Sequence, residues 1–293
     1  MFRLRRMSSS TILSVVGITG AAWVAAYYYN KPPKGQALPG VMGWVDLKLK
    51  ESHQISSDVK RYVFQFENED DVSGLHTASF IVAKLKTPKG EVWRPYTPIS
   101  TPDQKGTIEL MIKSYEDGKF SKHVWDLKPN DTVSFKGPIQ AFKWQPNQFK
   151  QISLIGGGSG ITPLYQLLST IIKNPEDNTK VDLYYGCKTV DDILLKDELD
   201  KIAITHPHQF KVHYFATDAP EDWNQGHKGH INKQYLQDHL PPPSTNDTKI
   251  FVCGPPNMFK AICGDKPPPP FIQGRFSGIL SELGYKRNQV FKF

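Results

Sequence analysis

Cysteine is scarce in this chain: Cys187, Cys253 and Cys263 are the only three in 293 residues, and none sits in a CxxC pair. Three thiols cannot build a disulfide framework or a four-cysteine zinc or iron–sulfur site, and no HExxH spacing offers histidines in their place, so no metal centre is expected. Acid is missing from one stretch, because residues 1–45 carry Arg3, Arg5, Arg6, Lys31 and Lys34 and neither Asp nor Glu. The net charge of +7 therefore sits mostly in that arm, and the remaining 31 basic and 29 acidic residues leave a nearly neutral body. A nucleic-acid surface needs its basic charge on the folded part, so no nucleic-acid partner is expected and a targeting or membrane feature is.

Long hydrophobic runs are missing too, with one exception. Thr11–Tyr29 contains no charged residue, is rich in Ala, Val, Ile and aromatics, and is bracketed by the basic residues just named. At a rise of about 1.5 Å per residue it is long enough to span a hydrocarbon core. Tyr27, Tyr28 and Tyr29 resemble an interfacial aromatic belt more than a signal-peptide cleavage site. An N-terminal transmembrane helix is the expectation, and the acid-free arm with Ser8, Ser9 and Ser10 resembles a mitochondrial import signal. Residues 31–40, with Pro32, Pro33, Gly35, Pro39 and Gly40, read as a semi-rigid linker.

The rest of the chain, 39% hydrophobic and 12% aromatic overall, is long enough for about two domains. Between Trp44 and Gly137, short alternating runs such as 61–66, 80–85, 107–112 and 132–135 are broken by turn residues, which predicts a small antiparallel barrel or sandwich. From Gln151 the rhythm becomes strand then helix: 152–155, glycines, and a helix whose Leu164, Leu167, Leu168, Ile171 and Ile172 form one apolar face. Further strands are predicted at 181–185, 212–215, 250–253 and 290–293. This alternation implies a doubly wound parallel α/β sheet. The expected units are 1–40 (arm and linker), 41–145 (barrel) and 146–293 (α/β domain).

Four motifs carry chemistry. Gly156-Gly-Gly-Ser-Gly160, followed by Ile-Thr-Pro163, misses both the G-x-G-x-x-G fingerprint and the P-loop. It still opens a helix with glycines that allow close backbone approach, Thr162 being expected to cap a helix starting at Pro163, and such an N-terminus suits a phosphate. In Arg94-Pro-Tyr-Thr-Pro-Ile-Ser100, an extended backbone stiffened by Pro95 and Pro98 places Arg94 and Tyr96 on one face, with Thr97 adding a hydroxyl. Gly118-Lys-Phe-Ser121 precedes a predicted helix running through His123, Val124 and Leu127. Phe251-Val-Cys-Gly-Pro-Pro-Asn257 places Cys253 at the carboxyl edge of the parallel sheet, where ligands of open α/β sheets bind.

The ordered set RPYTPIS, GKFS, GGGSGITP and CGPP resembles the ferredoxin–NADP reductase superfamily and, within it, the NADH–cytochrome b5 reductases. The anchor, residues 143–149 and the VFKF terminus look most like the fungal mitochondrial form. The resemblance implies an FAD-binding barrel, with Arg94, Pro95, Tyr96 and Thr97 toward the flavin and pyrophosphate and Lys113 and Tyr115 lining the cofactor. Gly118, Lys119, Phe120 and Ser121 would hold the pyrophosphate, Phe120 standing where a methionine is frequent. Gly157, Gly158, Gly160 and Thr162 would take NADH, Thr162 lying near the flavin. Cys253, Gly254, Pro255 and Pro256 would border the nicotinamide, with Cys253 a packing and polarising neighbour. Phe293 is similar in type to an aromatic that shields flavin in some relatives.

Asp218, just after the strand 212–215, is positioned to accept a ribose hydroxyl and to repel a 2′-phosphate, which predicts NADH over NADPH. Lys119 and Lys122, with Lys84 and Lys86 further off, are candidates for steering an acidic haem protein, cytochrome b5 by the resemblance. A monomer in the mitochondrial outer membrane, or in the intermembrane space once processed, completes the expectation. The alternatives are an FAD and NADH reductase serving another acceptor, or a membrane-tethered nucleotide-binding module without turnover.

Overall fold

The computed structural model describes residues 32–87, 90–269 and 271–293. The transmembrane expectation for Thr11–Tyr29 lies outside the described residues; among the described ones, no helix is long and apolar enough to cross a membrane.

Alternating runs of β-branched and aromatic residues produce six antiparallel strands: β1 (Gly40–Gln54), β2 (Val59–Gln65), β3 (Ser79–Thr87), β4 (Gly90–Tyr96), β5 (Thr107–Lys113) and β6 (Thr132–Gln140). They pair in the order β4-β3-β6-β1-β2-β5. The period-two pattern sets the faces: in β3, Ile81 and Ala83 are buried while Val82 and Lys84 are only partly so. Inward-facing Leu47, Leu49, Tyr62, Phe64, Leu110 and Phe135 make this half's core, each fully buried side chain contributing about 1.5–3 kcal/mol. β4 and β5 do not pair with each other, so the expected barrel is an open half-barrel. A short helix, α1 (Ser121–Trp125), follows β5. It stops two residues before Leu127, shorter than expected.

The second sheet is wholly parallel: β7 (Gln151–Gly157), β8 (Lys180–Cys187), β9 (Phe210–Ala216), β10 (His227–Lys228), β11 (Thr248–Cys253) and β12 (Val290–Lys292), in the order β10-β9-β8-β7-β11-β12. Its helices are α2 (Ile161–Lys173), α3 (Lys196–Thr205), α4 (Lys233–His239), α5 (Pro256–Ile262) and α6 (Gly278–Glu282). Both faces of the sheet are covered, which is why its strands read as nearly continuous apolar runs. Leu154, Leu183 and Phe251 pack with α2 and α3 residues, whereas Ile155, Tyr184 and Val252 pack with Leu236, Phe259 and Leu280 of α4, α5 and α6. On α2 the predicted face is buried at Leu164, Leu167, Leu168 and Ile171, with Ile172 half-buried.

Chain order runs outward from β7 through β8 and β9 on one side and through β11 on the other. The crevice beyond the carboxyl ends of β7 and β11 is therefore a topological switch point. The two halves meet there: Ser79 N of β3 donates to Gln166 Oε1 of α2 at 3.0 Å, and Val59 and Met111 of the half-barrel pack into the α2 core.

Candidate functional site

One cavity of about 1470 Å³ runs along this junction. It exceeds the roughly 300–1,000 Å³ of an ordinary small-molecule pocket, so it has room for more than one dinucleotide-sized portion. Arg94, Tyr96 and Lys113 line it from the edge strands β4 and β5, on the side where the half-barrel is open. From the parallel sheet come the Gly157–Gly160 turn and the Cys253–Pro256 turn. Every cofactor-site residue named from the sequence lines this cavity except Asp218, although they come from distant parts of the chain; of the steering lysines, only Lys119 does.

On the half-barrel side the contacts are side chains. Arg94 alternates with Trp93 and Pro95 and faces the cavity; its Nη1 donates to Trp93 O at 2.7 Å, and it has no carboxylate partner among the described residues. A guanidinium left with most of its fork free suits a pyrophosphate. Burial holds the Tyr96 phenol well above its ordinary range despite the opposing pull of Arg94. Its hydroxyl therefore stays a donor at physiological pH, and its ring leans on buried Phe120 at 5.5 Å. Phe120 thus supports Tyr96 from behind.

At Lys113 burial pushes the ammonium pKa down, but the pair with Asp58 at 2.7 Å wins and the net shift is upward. Lys113 remains a cation. Ser121 does not cap α1: the N-cap position is Phe120, and Ser121 Oγ accepts from Tyr115 N at 3.2 Å, closing the Gly118 turn. Pro95, Thr97, Tyr115, Gly118 and Lys119 complete this wall.

On the parallel-sheet side the contacts are backbone. β7 ends in a 3₁₀ turn, Gly158–Gly160, that runs directly into α2 at Ile161. The expected cap is corrected here: the helix starts two residues before Pro163, the N-cap is Gly160, and Thr162 lies within the first turn with Oγ1 donating to Ser159 O at 3.3 Å. The extra 3₁₀ turn draws Thr162 into the helix, and its hydroxyl bonds back along the chain. Gly158 has φ +51, and a Cβ there would meet no atom within 4 Å, because the position faces open cavity. Gly160 is closed, and its Cβ would lie 2.7 Å from Gly254 N. The two sheet-end turns are thus in backbone contact, which only glycine permits.

Cys253, at the end of β11, is pushed up to about 12 by burial, so its thiol is neutral and is not an activated nucleophile. Asp218 is exposed and lies outside the cavity wall. Its N donates to Lys188 O at 2.7 Å, and the neighbouring Thr217 is the residue that reaches the cavity. Phe293 lines the cavity, half-buried and stacked on Phe251 at 5.6 Å.

Sequence reasoning missed residues that no local motif marks. Tyr185 Oη donates to Gly158 O at 2.9 Å and accepts from Leu194 N at 3.3 Å, pinning the glycine turn from β8. Lys266 and Lys292 also reach the wall. A lysine between Phe291 and Phe293 was the one available sign of a buried cation. The donors, the free guanidinium and the open space at Gly158 fit FAD in the half-barrel and a nicotinamide dinucleotide on the sheet.

Comparison with known proteins agrees with that chemistry. Residues 46–144 match the oxidoreductase FAD-binding domain model, and residues 154–264 the oxidoreductase NAD-binding domain model. NADH-cytochrome b5 reductase 2 of Scheffersomyces stipitis is 51% identical over 295 residues, covering 99% of this chain and 97% of the relative. The Debaryomyces hansenii protein of the same name is 52% identical over 281 residues, covering 96% and 93%. The chain belongs to the NADH-cytochrome b5 reductase family. Among solved structures of that kind, the cytochrome b5 reductase domain of Ulva prolifera nitrate reductase superimposes with a TM-score of 0.75 at 29% identity, covering 88% of this chain and 99% of that one. Membership thus spans both halves of the cavity.

Proposed function

We propose that this chain is an FAD-dependent reductase that takes a hydride from NADH and delivers electrons singly to cytochrome b5. One observation carries the reading: a single cavity joins the cationic side chains of an FAD-type half-barrel to the glycine turns at the switch point of a parallel sheet. When bound, the flavin supplies the conversion between two-electron and one-electron transfer, and the protein supplies position and electrostatics. Arg94 and Lys113 offset pyrophosphate charge, the Tyr96 hydroxyl donates a hydrogen bond, and the Gly158 turn lets a dinucleotide approach the backbone. Cys253, a neutral thiol, packs against the nicotinamide ring. No general acid or nucleophile is needed.

The reading extends to partner and place. Lys119 is exposed at the cavity rim and Lys122 is exposed on α1, so both are free to steer an acidic haem protein, whereas Lys84 is engaged with Glu91 and the Trp44 ring. The charge-free run Thr11–Tyr29 anchors the chain in a membrane. The acid-free arm directs it to the mitochondrial outer membrane, and the enzyme acts there as a monomer. The support for anchor and address is the sequence alone. The purified chain should show an oxidised-flavin visible band, and NADH should bleach it and drive cytochrome b5 reduction; a colourless protein that binds NADH without turnover would sink the reading. For the anchor, membranes should retain the full chain through a high-salt wash.

A further inference from the structure

Lys292 is a cation where one is costly. It is 3% exposed, in the last strand, between Phe291 and Phe293. A buried ammonium is tolerated when all its donors are taken, and here Nζ donates to Gly264 O at 2.9 Å, Asp265 O at 2.9 Å and Arg275 O at 2.8 Å. Those carbonyls belong to the two ends of the connection between α5 and α6. Gln273 reinforces the join, its Oε1 accepting from Lys292 N at 2.7 Å and its Nε2 donating to Lys292 O at 2.8 Å. The clamp holds Lys266, whose Nζ donates to Lys292 O at 2.6 Å. Lys266 lines the cavity, carries no ion pair among the described residues, and interacts electrostatically with Cys253. That is the one hydrogen bond of its ammonium among the described residues.

We propose that Lys266 is a specificity-determining residue for the redox state of the nucleotide: its clamped ammonium beside Cys253 favours the uncharged reduced nicotinamide ring and disfavours the cationic oxidised ring, which promotes product release. This rests on the reading that the Cys253–Pro256 turn borders the nicotinamide. Both rings have nearly the same shape and differ by one positive charge, so a fixed cation within several ångströms discriminates between them by Coulomb repulsion. At such a distance and the effective dielectric of a partly wet site, that repulsion is worth on the order of tenfold in affinity.

The charge on Lys266 is adjustable. Burial lowers its pKa to about 8, and the neighbouring charge of Lys292 pushes in the same direction. The groups around it are Cys253 on β11, Cys263 at the end of α5, Lys292 on β12 and neighbouring Asp265; burial holds both thiols at about 12, so neither changes charge near neutrality. Lys266 is charged below about pH 8 and neutral above it. The discrimination is accordingly present at neutral pH and is lost as pH rises through about 8.

The test is calorimetric titration of the oxidised, FAD-loaded full chain with NAD⁺, with the unreactive reduced analogue tetrahydro-NAD, and with ADP-ribose, which has no nicotinamide. In Lys266→Met, NAD⁺ should bind about tenfold tighter, tetrahydro-NAD should bind no tighter, and ADP-ribose should be unchanged. Lys266→Arg, which keeps the charge, should behave like the wild type. Raising the pH to about 9 should bring the wild type toward the Met variant and leave that variant unmoved. Equal weakening of all three ligands would mean a structural role and overturn the proposal. So would unchanged NAD⁺ affinity in Lys266→Met, which would leave the reductase reading standing. Wild-type holoprotein that binds ADP-ribose and gains nothing from the nicotinamide would overturn both.

Discussion

The two halves of the cavity hold their ligands by different means. On β4 and β5 the work falls to side chains: Arg94 and Lys113 project from a sheet whose core lies on other residues, and Tyr96 packs against the edge of that core. At the ends of β7 and β11 it falls to the main chain, where glycines let two turns touch and Met258 packs so closely that a Cβ on Gly157 would lie 2.5 Å from its sulfur. At Arg94, which has no carboxylate partner among the described residues, binding and folding are separable. In the second half the same atoms do both, so a substitution that spoils the site should also spoil the packing.

That contrast is most sharply tested at Gly160. An added Cβ there meets backbone of Cys253 and Gly254 and not the flexible end of a side chain, so the neighbours cannot give way. Gly160→Ala should lower stability by about 3 kcal/mol and weaken nucleotide binding as well. Chemical denaturation and NAD⁺ titration check this together; loss of binding at full stability would break the comparison.

Arg94→Ala is the counterpart. It should weaken FAD retention by about 1.5–3 kcal/mol, the usual loss for a charged hydrogen-bonding partner, while the apoprotein unfolds at the wild-type denaturant midpoint. Full flavin occupancy after dialysis of the variant would remove Arg94 from the pyrophosphate.

Cys253→Ser should have a smaller effect, slowing flavin reduction by NADH several-fold in stopped flow with flavin still bound. Because burial keeps this thiol protonated, with a pKa of about 12, the reduction rate should show no thiol-dependent step between about pH 6 and 9. A rate that rises with thiolate formation in the wild type and not in the variant would restore covalent chemistry.

The smallest change is expected at Asp218. The residue is exposed and outside the cavity wall, so its carboxylate acts only through a side-chain swing or at a distance through water. Asp218→Ala should reduce the preference for NADH over NADPH by a few-fold at most, measured as the ratio of kcat/KM values. An unchanged ratio would assign cofactor choice to other residues near Thr217.

The unequal legibility of the two halves follows from the same contrast. Arg94 and Tyr96 of RPYTPIS could be read because a strand's period of two fixes which side chains share a face, and the structure keeps both on the cavity side. GGGSGITP announced a close approach without saying to what; Cys253 and Gly254, almost a hundred residues later, became its partners only through pairing of β7 with β11. Thr162 was misplaced because a short 3₁₀ turn, Gly158–Gly160, precedes the helix and moves its start to Ile161; Tyr185 of β8 bonds to Gly158 O at that turn. Asp218 was placed by counting strands, which locates a strand end but not the direction in which a loop side chain points.

Composition and spacing by themselves excluded a four-cysteine metal site, concentrated the excess positive charge and the longest apolar run before residue 45, and set an antiparallel half ahead of a parallel one. These follow from local rules: charge counts, hydrophobic period and turn chemistry. Only the tertiary structure decided that the barrel stays open between β4 and β5, that Phe120 backs Tyr96, and that Lys292 buries its ammonium among three carbonyls to hold Lys266 at the cavity wall. Each depends on atoms far apart in the chain, whose contacts form only once both sheets have assembled.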